Sequence, residues 1–136
     1  MGHDAEGLLG AALARFIGGD LRYYASLAVA REDAVREAAR TCGSLWVTRA
    51  TVARVLRALI AKRTDPEVIQ GWASVVRWGL LWHPAHGMPI TVDVAFDSER
   101  EEQLIDVVAR LDEIGDLVDG IVSPEEAQGW LRLLQE

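Results

Sequence analysis

Carboxylates are the residues whose spacing comes nearest to chemistry. Glu99, Glu102, Asp106, Glu113 and Asp116 follow one another at intervals of three, four, seven and three. At about 100° per residue they share one face of a helix. Glu99 with Glu102, and Glu113 with Asp116, are carboxylate pairs one turn apart. Such pairs suit a hard divalent cation such as magnesium, which in turn binds phosphates. A shared cation requires both pairs to converge. On one unbroken helix their midpoints lie about 14 residues, or about 21 Å, apart. The spacing therefore argues against a joint metal site and leaves an outward acidic face. Such a face keeps a protein in solution, and it also offers a docking stripe to a cationic surface.

Other reactive types are less organised. The chain has no Gly-x-Ser-x-Gly, and no spacing brings Ser, Cys and His together for nucleophilic catalysis. Gly-rich phosphate loops are absent. Cys42 is the single cysteine, so no internal disulfide forms, and it reads as a half-buried thiol in a reducing compartment. His83 and His86 lie in a loop with Pro84 and Pro89, no Cys is near, and the only other His is His3. They read as a loop pair, with no metal site. The pattern assigns no catalytic residue and no cofactor. Trp72, Trp78 and Trp82 fall within eleven residues, and Trp78 and Trp82 are expected to share a helix face as i, i+4 neighbours. Core packing accounts for such a group. A partner-facing patch is the alternative, since Trp is enriched at binding hot spots.

The net charge is -7 over 136 residues, unevenly spread. Residues 1–64 hold ten Arg or Lys against six Asp or Glu, and residues 65–136 hold four against fifteen. The acidic half argues against nucleic acid, because phosphate binding needs clustered cations. It suits a basic protein partner, or docking of one half against the other. Arg49, Arg54, Arg57, Lys62 and Arg63 lie mainly off the apolar stripe of their helix, as a solvated basic face. No apolar run reaches the roughly 18 residues of a membrane span, and the N-terminus lacks a secretory layout. The expectation is a cytoplasmic protein with no membrane association.

Helices must position these residues. The octapeptide Asp65-Pro66-Glu67-Val68-Ile69-Gln70-Gly71-Trp72 recurs as Ser123-Pro124-Glu125-Glu126-Ala127-Gln128-Gly129-Trp130, 58 residues on. Each copy has the chemistry of a helix start: a capping oxygen, Pro in the first turn and an early Glu. Each Trp, two turns in, is placed to pack back on the preceding helix. The first repeat helix is expected to run from Pro66 to about Trp82. Ser98-x-x-Glu101 is a capping box for a helix running to about Asp119, with the stripe Leu104, Val107, Val108, Leu111, Ile114 and Val118. Residues 4–17, with Leu8, Leu9, Leu13, Phe16 and Ile17, are expected to form a short helix ended by Gly18-Gly19. Asp20 caps the next, which runs to Thr41 or breaks near Ala30. Thr48 or Ser44 caps a helix carrying Val52, Val55, Leu56, Leu59 and Ile60. Residues 90–96 alternate apolar and polar with β-branched types, as an extended segment over the bundle or an edge that pairs with another chain. The expected fold is mainly α: one domain over 1–136, with residues 1–7 a candidate disordered lead. It is an irregular bundle of about six helices built from helix-hairpin repeats, with one short β segment near 90–96.

Two resemblances follow from these residues. Leu111-Asp112-Glu113-Ile114-Gly115-Asp116-Leu117 resembles the Glu-x-x-Asp helix of all-α nucleotide pyrophosphohydrolases of the MazG kind. That likeness implies a magnesium-dependent enzyme, with Glu99 and Glu102 as the other pair. Leu117-Val118-Asp119-Gly120-Ile121-Val122-Ser123-Pro124-Glu125-Glu126, with Trp130, resembles a segment of small helical bacterial immunity proteins of the colicin D immunity-like group, and residues 59–72 are a weaker copy. This second likeness implies a helical, cytoplasmic, acidic, non-catalytic protein that binds a basic toxin domain, often a nuclease, and blocks it. Glu99, Glu102, Asp106, Glu113 and Asp116 would then face toxin Lys or Arg, with Trp78 and Trp82 as an alternative contact patch. A self-associating module, dimerising through the 90–96 edge or the charge asymmetry, is the third reading.

Overall fold

Local chemistry starts most of the helices where the sequence places them. A computed structural model describes residues 2–81, 89–115 and 120–135, the first six by backbone alone. Helix α1 spans Gly2–Ile17. Asp20 then accepts from the Arg22 backbone N–H and caps a 3-10 turn, Leu21–Tyr23. It leads into α2, Tyr24–Val29, and α3, Glu32–Thr41. The break falls at Ala30 and Arg31, both extended (ψ 153 and 140). After strand β1, Leu45–Val47, Thr48 and Thr51 cap each other at the start of α4, Arg49–Ile60. Pro66 opens α5, Pro66–Trp78, and Pro124 opens α7, Pro124–Gln135, where the Ser123 hydroxyl accepts from the Glu126 N–H (3.1 Å). Between them lie β2, Leu80–Leu81, β3, Ile90–Thr91, β4, Val94–Phe96, and α6, Glu101–Asp112. The fold is mainly α, a helical bundle with a small β component. Seven α-helices stand among the described residues, the break at Ala30 adding one to the expected six.

Three boundaries depart from the sequence reading. Helix α5 stops at Trp78, because Gly79 turns left-handed (φ 68) and closes the helix on the Val75 carbonyl (2.8 Å). Helix α6 begins at Glu101 with Arg100 as an uncapped N-cap. The Ser98–Glu101 capping box does not form, and Asp97 instead accepts from the Glu99 N–H (3.3 Å). The same helix ends at Asp112 rather than near Asp119, and Gly115 (φ 97) donates its N–H to the Gly120 carbonyl (3.0 Å). Asp116, Leu117, Val118 and Asp119 lie outside the described residues, as do Trp82 to Met88 with His83 and His86.

The 90–96 segment splits in two at Val92-Asp93 and pairs inside the chain. Leu80↔Thr91 and Leu81↔Ile90 are antiparallel, while Leu45↔Val94 through Val47↔Phe96 are parallel. The segment thereby ties the α3–α4 connection to the end of α5. One continuous core follows, with Leu13, Phe16, Ile17, Val35, Val52, Leu56, Trp72, Leu104 and Leu111 fully buried. The repeat appears as two Pro-led helix starts, though Asp65 makes no side-chain cap bond where Ser123 does; Asp65, Pro66 and Pro124 line one cleft of about 410 Å³ with Leu59, Ile69 and Ile114. The main packing partners cross between repeats: α5 lies against α6, and α4 against α7. The Trp72 ring lies in the core shared with Val52, Val55 and Leu56 of α4, and its indole N–H donates to the Ile17 carbonyl at the end of α1 (3.2 Å).

Candidate protein-docking surface

The most organised polar group on the surface gathers around Asp112 on α6, whose side chain is only 12% exposed. Three donors from α5 converge on it. The Gln70 amide reaches one carboxylate oxygen at 2.9 Å, and the Arg77 guanidinium and the Trp78 indole N–H reach the other at 3.1 and 3.2 Å. The guanidinium of Arg77 also lies over the Trp78 ring, 4.6 Å from its centroid. Trp78 is thus held in one orientation from two sides, yet it is 59% exposed. A large aromatic fixed before contact loses little conformational freedom on binding. Ile105, two turns before Asp112 on the same side of α6, is a second exposed apolar residue.

Glu102 and Asp106 are exposed on α6, rotated about 80–120° round the helix from Asp112. The other members of the expected stripe differ. Glu99 is exposed but sits in the turn before the helix. Glu113 is the C-cap of α6 and pairs with Arg110 (3.0 Å). Arg110 also bonds Glu126 (3.0 Å) and the Ile121 carbonyl (3.0 Å), and its carboxylate partners, Glu126 first and then Glu113, push its pKa above the ordinary arginine value. Asp116 and Trp82 lie outside the described residues. Trp78 and Trp82 do not share a helix, since α5 ends at Trp78. The candidate surface therefore centres on Trp78, Ile105, Glu102 and Asp106. Asp112, Gln70 and Arg77 were not legible as part of it, because Asp112 lies off the acidic face and its partners are 34 to 42 positions away.

Electrostatics across the whole chain bear on this surface. Every ion pair among the described residues joins two residues of the same half: Asp20–Arg22, Arg31–Asp33, Glu32–Arg36 and Glu37–Arg40 in the first, Arg77–Asp112 and Arg110 with Glu113 and Glu126 in the second. Among the described residues, no carboxylate of 65–136 forms an ion pair with the basic half. Glu102 and Glu113 stand near opposite ends of α6, about 16 Å apart along its axis. Among the described residues no three of His, Cys, Asp and Glu form a group able to hold a metal. The Cys42 thiol is pushed up in pKa by burial and leans on the Ala39 carbonyl (3.5 Å). Among the described residues no helix is long and apolar enough to cross a membrane. No family model, no characterised protein and no solved structure matches the chain.

Proposed function

We propose that the chain is a non-catalytic protein-binding module for a basic protein domain, most concretely an immunity or antitoxin-type protein that neutralises a toxin domain. One observation carries the reading: Trp78 is held exposed by Asp112 and Arg77, on the helix pair whose flank presents the unpaired carboxylates Glu102 and Asp106. Rigid aromatics anchor interfaces, and a neighbouring charged flank steers the encounter with a partner of opposite sign. The acidic half supplies that field, because its surplus is not consumed by ion pairs to the basic half.

The test is kinetic. The tagged protein is used to recover its partner from the cells it comes from, and association is then measured with purified components. The expected partner is basic and stoichiometric. Glu102→Lys with Asp106→Lys should slow association about tenfold or more at low salt, with dissociation little changed. Trp78→Ala should instead speed dissociation. A partner whose association ignores the charge reversal, or whose release ignores Trp78, would refute this surface.

A further inference from the structure

The basic half holds a second arrangement, on elements separate from the Trp78 surface. A cleft of about 520 Å³ lies between the α1 end turn, α4 and the α4–α5 connection. Asp20, Arg22, Arg54, Arg63 and Thr64 supply its polar lining. The sequence builds it locally. At Gly19 an added Cβ would stand 3.0 Å from the Thr51 carbonyl and 3.2 Å from the Arg54 Cδ, so only glycine lets this turn lie against the stem of Arg54. Lys62, left-handed at φ 55, folds the chain back after α4, and the Arg63 N–H donates to the Ala58 carbonyl (3.1 Å). That places Arg63 on the same side of α4 as Arg54, one turn before Ala58.

The charge count in the cleft is clear. Asp20 is its one carboxylate. It is engaged by Arg22 through Nε (2.9 Å) and Nη2 (2.8 Å), and this pairing holds its carboxyl below the ordinary range. Arg22 keeps Nη1 free for another acceptor. Arg54 and Arg63 have no hydrogen-bonded or ion-paired partner among the described residues, nor has the Thr64 hydroxyl. Most other arginines of the chain do have one, in a protein with an excess of carboxylates. Arg54, which feels the Asp20 charge without bonding to it, Arg63, a third guanidinium with a free nitrogen and a hydroxyl make a donor set matched to a tetrahedral oxyanion. The volume fits a small molecule. No aromatic residue lines the cleft, so it offers no platform for stacked bases.

We infer that this cleft binds a small phosphorylated molecule through its phosphate group, held by Arg54, Arg63 and Arg22 with Thr64. Inorganic pyrophosphate is the probe, titrated calorimetrically at matched ionic strength. Saturable one-site binding is expected, weakened about tenfold or more in Arg54→Gln with Arg63→Gln. It should stay within about twofold in Arg57→Gln with Arg132→Gln, arginines outside the cleft. Side-chain Nε–H NMR signals of the unaltered protein give a readout independent of any variant, with Arg22, Arg54 and Arg63 shifting and Arg57 and Arg132 still. No heat of binding, equal loss in both double variants, or equal shifts at all five arginines would overturn the site. Tighter binding of a single-stranded oligonucleotide than of pyrophosphate, lost in both variants, would do the same and point to diffuse polyanion attraction.

Discussion

Trp72 and Trp78 stand six residues apart on one helix and have opposite fates. Trp72 is fully buried, with its N–H spent on the Ile17 carbonyl, and it joins α5 to the end of α1. Trp78 faces solvent with its N–H on Asp112. Burial decides the energetics. Trp72→Ala removes a large core side chain and leaves a carbonyl without its donor, an expected cost of about 3–5 kcal/mol in urea unfolding. Trp78→Ala loses one hydrogen bond and the Arg77 contact at the surface, an expected cost of about 1 kcal/mol or less. A reversed order would mean that the two rings had been assigned the wrong roles.

At the scale of elements, two glycines show which helix features are enforced by neighbours. Gly79 is left-handed at φ 68, and an added Cβ would lie 3.0 Å from the Val92 carbonyl. The Val92 N–H in turn donates to the Gly79 carbonyl (2.8 Å), so the end of α5 and the β3 segment set each other. Gly79→Ala carries the left-handed cost of about 1–2 kcal/mol, with the backbone contact adding to it. Gly129 sits inside α7 with nothing within 4 Å of an added Cβ. There alanine should stabilise by about 0.5–1 kcal/mol. Thermal unfolding of the two variants should therefore move in opposite directions. A Gly79→Ala variant melting with the parent protein would show that this helix end is not held where the geometry puts it.

For the molecule as a whole, the two oppositely charged halves are joined by apolar packing of α4 on α7 and of α1 on α5, with ion pairs kept within each half. Salt should then leave the fold intact. The melting temperature should hold within about 2 °C, or rise as self-repulsion of the acidic half is screened. A fall of several degrees in high salt would show that attraction between the halves holds the bundle. The 90–96 segment is held inside the chain as well: β4 pairs with β1 across the halves and β3 with β2 within the second half, each along one edge in a two-stranded sheet.

What the sequence determined by itself was local. Asp20, Thr48, Pro66 and Pro124 mark starts that need only a capping oxygen or a fixed φ, and Gly18-Gly19 marks a stop that needs only a flexible backbone. The stripe Leu104, Val107, Val108 and Leu111 named the buried face of α6, because helical periodicity is a property of neighbours in the chain. Tertiary structure decided the rest. Gly79 ends α5 ahead of Trp82 because Val92 pairs with it, and β1 is a strand because Val94 to Phe96 lie beside it. Asp112 gathers Gln70, Arg77 and Trp78 only once α5 and α6 pack together. Arg54 and Arg63 share a cleft only because the chain folds back at Lys62. Contacts between residues far apart in sequence leave no periodic trace, so the candidate sites emerge only when distant helices meet.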